Sequence, residues 1–141
     1  MEVPRLYIFT AIQIFAAGVM FYFLVRPAYP WNVPRIIGTV LAAVGLSFIC
    51  VARYQLGTSF SVKPEARKLV TTGLYSKIRN PIYVFGMVMI TGLIVALQRP
   101  ALLIFLVIVA VVQMFRARRE ARVLEAAFGD AYREYRQKTW F

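Results

Sequence analysis

The chain has no histidine and a single cysteine, Cys50, among its 141 residues. Without imidazole there is no Ser-His-Asp or Cys-His nucleophile system and no histidine zinc site. One thiol makes neither an intramolecular disulfide nor a thiolate cluster, so no metal is expected. Acidic residues are scarce: six Asp+Glu stand against 17 Lys+Arg, a formal net charge of +11. No G-x-G-x-x-G occurs, and the length leaves little room for stacked βαβ units, which excludes a soluble dinucleotide-binding domain. Charge of either sign is thin, 16% of residues, while 60% are hydrophobic and the mean hydropathy is +0.65. A soluble domain of this size does not carry that balance.

The charges gather in short segments between long neutral runs. Four runs hold no charged side chain: 6–25 (twenty residues), 36–52 (seventeen), 81–98 (eighteen) and 101–115 (fifteen). A bilayer crossing takes about 17–25 residues. The last run rises roughly 22 Å and crosses if its helix continues past Phe115 and Arg116 snorkels. The first is too long for a signal-peptide core, and no small-x-small cleavage site follows it. The expectation is an all-α integral membrane protein, one domain over 1–141 with four transmembrane helices. Gln98-Arg99-Pro100 is a tight turn, so the last two spans form a hairpin, followed by a cytoplasmic C-terminal helical segment over about 116–141.

Lys and Arg set the orientation. Arg5, the connection 53–80 (six) and the tail after Phe115 (seven) give fourteen on one side; Arg26, Arg35 and Arg99 give three on the other. The positive-inside rule places both termini, the long connection and the tail in the cytoplasm, as in a multi-pass protein of a bacterial inner membrane or its equivalent. Basic residues that flank apolar runs point to anionic lipid headgroups rather than nucleic acid.

No Asp, Glu, Lys or Arg lies within the four runs, which weighs against a proton-coupled or cation exporter. Thr10, Gln13, Thr39, Ser47, Thr91 and Gln113 read as interhelical hydrogen-bonding residues. Gly38, Ala42 and Gly45 read as close-packing positions, and Cys50 as a small apolar filler.

Two constellations stand apart. In 73–83, Asn80 followed by Pro81 has the form of an N-cap and first helical residue, so the third span starts there. Arg79 and Tyr75 sit just outside that start, where unpaired N–H groups favour an anion. Arg79 reads either as a snorkelling anchor or as part of a site. In 116–129, Gly129 marks the helix end near Phe128. At about 100° per residue, Ala117, Val123, Leu124, Ala127 and Phe128 share one face, and Glu120 falls in its middle with Arg116 beside it. An inward carboxylate needs a partner or a job. It either pairs with Arg116 at i,i+4 or serves chemistry. The hairpin brings both constellations to one cytoplasmic face, where Arg79, Tyr83, Arg116 and Glu120 would line a pocket suited to an amphiphilic substrate and a water-soluble cofactor.

Gly73-Leu74-Tyr75, Ile78-Arg79-Asn80-Pro81 and Tyr83, followed by Glu120, Leu124, Phe128-Gly129, Tyr132 and Tyr135, resemble the isoprenylcysteine carboxyl methyltransferase family, to which the phospholipid N-methyltransferases are related. The lead-in Leu56-Gly57, Phe60-Ser61 and Leu69-Val70 agrees, and the resemblance covers roughly residues 56–141. It implies S-adenosylmethionine as cofactor near the cytoplasmic ends of the last spans, with Tyr75, Asn80, Pro81, Tyr83 and Glu120 matching the binding motif; Arg116, beside Glu120 on its helix, joins the cofactor-binding set, and Arg79 and Glu120 are the expected catalytic residues. It also implies a lipid-like or prenylated acceptor met at the bilayer surface. Asn80 replaces a histidine common in that pattern, and Ala121 replaces a second glutamate.

Methyl transfer from a sulfonium is an in-line displacement that demands alignment. A carboxylate acceptor needs no base, whereas a protonated amine must first lose a proton. With no histidine present, a carboxylate acceptor is mildly favoured. The phospholipid amine is the alternative acceptor. Other readings are an NADPH-dependent reductase of the sterol-reductase type, disfavoured by the short chain, and a non-enzymatic small transporter or scaffold subunit.

Overall fold

The computed structural model describes residues 30–57 and 69–141, together with Gly18, Phe21, Tyr22, Val25 and Arg26. Nearly all of the run 6–25 and the basic stretch 58–68, with Phe60 and Ser61, lie outside the described residues. Among the described residues the structure is helical, with no strand. Among the described residues four α-helices have both ends defined: α1 Val33–Leu56, α2 Pro81–Leu97, α3 Leu103–Phe128 and α4 Asp130–Lys138. Short 3-10 turns occupy Gly73–Ser76 and Pro100–Leu102.

α1 begins earlier and ends later than its uncharged run. Asn32 caps it, its side-chain oxygen accepting from Arg35 N at 3.1 Å, and Pro34 falls in the first turn. Arg35 is thereby inside the helix and only 2% exposed, not in the connection as the charge pattern suggests. Its guanidinium lies 4.7 Å from the Trp31 ring centroid and donates to the Arg26 carbonyl at 3.2 Å. Burial of an arginine is tolerable because both contacts match its charge.

α1 and α2 make the main packing contact, and small residues set its distance. A Cβ on Gly38 would fall 2.3 Å from Ala96 N, one on Gly45 2.6 Å from Met89 N, and one on Gly92 2.4 Å from Ala42 N. The backbones touch where Gly38 and Ala42 face Gly92 and Ala96 and where Gly45 faces Met89, a contact built on small residues of the kind lipid-embedded helices use. Phe48 and Phe85 stack beside it at 4.5 Å between centroids, 13° between planes.

α2 ends at Leu97, and Gln98 takes a left-handed conformation (φ 52°, ψ 38°). The Gln98 and Asn32 side chains exchange hydrogen bonds at 2.9 and 3.2 Å, which ties this turn to the start of α1. The chain then passes through Pro100–Leu102 into α3. α3 is one continuous helix through the basic residues and stops at Phe128, with Gly129 at φ 52° as the terminator.

α1 (24 residues) and the stretch Pro100–Phe128 (29 residues) are long and apolar enough to cross a membrane; α2 is apolar but shorter, at 17 residues. The apolar stretch of α3 is not buried in the described structure, and Ile104, Val107 and Phe115 are exposed by 70%, 62% and 66%. Such surface is unfavourable in water and at rest in lipid.

Candidate active site

The segment before α2 is held from below by α1. Gly73 (φ 62°) leaves no room for a side chain, because its Cβ would fall 2.4 Å from the Gln55 amide. Gln55 Oε1 accepts from Leu74 N at 2.7 Å. This bond fixes the 3-10 turn and buries Tyr75, which is 6% exposed. Asn80 occupies the cap position before Pro81 as expected, but its side chain makes no capping bond. Its Nδ2 donates instead to the Phe141 carbonyl at 3.1 Å.

One turn into α2, the Tyr83 hydroxyl donates a hydrogen bond to Glu120 Oε1 on α3. Arg116, one turn before Glu120, stands over the Tyr83 ring with its Cζ 5.7 Å from the centroid. Part of the inward face of α3 expected from helical periodicity meets α2: Ala117 is buried and Glu120 reaches Tyr83, with Gln113 Nε2 3.5 Å from where a Gly86 Cβ would sit, whereas Ala127 of that face is exposed. Glu120 takes its hydrogen bond from Tyr83, and Arg116 spends its charge partly on the ring. A bond to a carboxylate in such a half-buried place stabilises by about 1.5–3 kcal/mol.

The C-terminal helix closes the other side. Tyr132 and Tyr135 of α4 are 3% and 8% exposed. Tyr135 Oη donates to the Tyr75 carbonyl at 2.7 Å. Beyond α4 the backbone pairs with the segment before α2: Trp140 N donates to Lys77 O at 2.7 Å, and Arg79 N and Asn80 N donate to Trp140 O and Phe141 O, each at 3.0 Å. The motif contains Tyr132 and Tyr135 but gives them no role, and nothing in the sequence announces this pairing. Backbone hydrogen bonds leave no side-chain pattern to read.

The site residues fall into two linked groups. Tyr83, Arg116 and Glu120 form the first. Arg79 belongs to the second, beside Tyr132 and Tyr135, whose hydroxyls its charge holds down against burial. Tyr75 joins them, since both Tyr135 and Glu120 act on its hydroxyl. Pro81 is fully buried under these elements. Burial raises the Tyr75 and Tyr132 hydroxyls above their usual range and pushes Tyr135 up to about 12. All three stay protonated at neutral pH; Tyr135 donates to the Tyr75 carbonyl, and the Tyr132 hydroxyl accepts from the Arg79 guanidinium. Arg79 Nε is buried and has no hydrogen-bond partner among the described residues.

The model of the phospholipid methyltransferase family matches residues 33–131. The chain belongs to this family. The match starts with the first residue of α1 and contains Tyr75, Arg79, Tyr83, Arg116 and Glu120, while Tyr132, Tyr135 and the paired tail lie beyond it. Membership makes the chain a methyltransferase of lipid-like substrates, and its apolar helices agree with a membrane protein. No curated protein and no solved structure matches the chain significantly.

Proposed function

We propose that this member of the phospholipid methyltransferase family transfers a methyl group from S-adenosylmethionine to a lipid-like acceptor at the cytoplasmic surface of the bilayer. In this reading 1–141 is a single membrane domain of four spans, with α2 and α3 as a hairpin, both termini cytoplasmic and the region from Arg116 onward at the headgroup level and beyond. The observation that carries it is the Tyr83–Glu120 hydrogen bond, which sets a carboxylate at the junction of α2, α3 and the tyrosine cluster in a methyltransferase chain.

The residues present fit the cofactor. Arg79 offers a buried Nε with no partner, and S-adenosylmethionine carries a carboxylate that such a group can bind. Arg79 and Tyr75 would hold its anionic end, with Asn80, Pro81, Tyr83 and Arg116 completing the walls and Glu120 near its cationic sulfur. Bound there, the cofactor supplies an electrophilic methyl. The protein's part is alignment and exclusion of water. Tyr83 keeps Glu120 oriented, and the α4 tail keeps the Arg79 segment in place.

The acceptor favoured by the family match is a phospholipid amine, whose proton Glu120 would accept. The second reading, the carboxyl group of a prenylated cysteine, draws on the motif between Gly73 and Tyr135 and on the lack of histidine as a base. Purified protein incubated with methyl-labelled S-adenosylmethionine and a total lipid extract separates them. Label in a phospholipid headgroup supports the first, label only in an added prenylcysteine the second, and label in neither removes both.

A further inference from the structure

α3 carries a second surface on the side away from Glu120. Val107, Ile108, Val111 and Phe115 are exposed along its apolar part by 62%, 55%, 45% and 66%. Arg118, Arg119 and Arg122 continue the same stripe and are exposed as well. At ~100° per residue all seven fall within about 120° of arc, and Glu120 points to the opposite side. Phe115 and Arg122 are roughly 10 Å apart along the axis. The stripe is therefore apolar for its first turns and cationic for little more than its last one, the profile of a helix leaving lipid through the headgroups.

The nearby acids are engaged elsewhere. Glu120 accepts from Tyr83; Glu125 and Asp130 pair with Arg133 at 2.9 and 3.1 Å; Glu134 pairs with Lys138. None of the three stripe arginines has an ion-pair partner among the described residues. With six acids against 17 bases in the chain, internal neutralisation of all the bases is impossible. A symmetric second copy seated on this face would bring six arginines together with no acid between them, which like-charge repulsion opposes.

We infer that the outer face of α3, Phe115 with Arg118, Arg119 and Arg122, is a binding surface for anionic phospholipid headgroups, separate from the methyl-transfer site. The acyl chains lie along the apolar turns and the phosphates meet the guanidinium groups, which bind phosphate in bidentate fashion.

The test reads lipid association, not methyl transfer, so it stands whether or not the proposed reaction does. The full chain is reconstituted in phosphatidylcholine bilayers containing spin-labelled phosphatidylglycerol or spin-labelled phosphatidylcholine, and the motionally restricted fraction is measured by electron paramagnetic resonance. The wild type is expected to hold phosphatidylglycerol several-fold more strongly, with the preference reduced by salt. Arg118→Gln/Arg119→Gln/Arg122→Gln loses most of it, each single Gln variant loses part, and the triple Lys variant keeps most of it. An unchanged preference in the triple Gln variant, or none in the wild type, overturns the inference. So does efficient dimer cross-linking through Val111→Cys in a Cys50→Ser background, which would give the face to a second copy.

Discussion

The Tyr83 hydroxyl and the Glu120 carboxylate are 37 positions apart in sequence and joined by one hydrogen bond. Two helices must cross at the right place for that bond to exist, and its members have no other polar partner of equal strength among the described residues. Tyr83→Phe removes the donor and leaves the carboxylate free to turn. Losing a hydrogen bond to a charged group costs about 1.5–3 kcal/mol, so methyl transfer should fall by roughly 10- to 100-fold. Glu120→Gln, which keeps the shape but removes the charge, should cost at least as much. Rates with labelled S-adenosylmethionine check both. A wild-type rate in either variant would take Glu120 out of the site.

Arg79 should act on binding rather than on the chemical step. Its buried, unpartnered Nε fits a role in holding the cofactor's carboxylate. Arg79→Ala is expected to raise the KM for S-adenosylmethionine by about tenfold or more with a smaller change in kcat. Arg79→Lys should rescue little of it, because an ammonium cannot reproduce the planar fork. Calorimetric titration of the cofactor gives the same comparison without turnover.

The α1–α2 contact gives a stability prediction. A Gly92 Cβ would lie 2.4 Å from Ala42 N and 2.7 Å from Gly38 O, both backbone atoms that cannot rotate away. Gly92→Val must push the helices apart, and a loss of more than about 2 kcal/mol is expected. Gly86→Ala is the control, since its Cβ would meet only the Gln113 side chain at 3.5 Å. Thermal unfolding in detergent should show a large fall in Tm for the first and little change for the second.

Residues whose role depends on local pattern were readable before any coordinates. Gly38, Ala42 and Gly45 announce a close helix contact by size and spacing alone. Asn80-Pro81 and Gly129 mark helix ends because cap positions demand special backbone, and Glu120 declares its inward face through the 100° period. What was hidden depends on partners far away in the chain. Asn80 looks like a capping side chain, but its amide is drawn to Phe141 instead. Arg35 looks like a flanking charge, yet Trp31 and the Arg26 carbonyl let it be buried. Arg116 and Glu120 have the spacing of an ion pair, and only the position of Tyr83 between them redirects both. Tyr83, in turn, is set apart only by its place at the start of the third run, since the family motif holds Tyr75, Tyr132 and Tyr135 as well.

Tyr135 makes the tail clamp pH-sensitive at the alkaline end. The residue is 8% exposed and its hydroxyl donates to the Tyr75 carbonyl, and burial, with Tyr132 adding to it, raises its pKa from 10.0 to about 12. The folded state therefore holds this proton more tightly than the unfolded chain does. The stabilisation is complete below pH 10.0, the unfolded value, and is lost as pH rises through the folded value of about 12. Tyr135→Phe removes the titrating group and strands the Tyr75 carbonyl, so it should lower Tm at neutral pH by the equivalent of about 1–2 kcal/mol. Over the alkaline window, however, its Tm should fall less steeply than that of the wild type, because the variant has one buried hydroxyl fewer to ionise. Parallel Tm-against-pH curves for the two proteins would mean that the Tyr135 hydroxyl does not bind the tail to the Tyr75 turn. Converging curves would mean that the bond fastening α4 over the Arg79 segment is the one that alkali breaks.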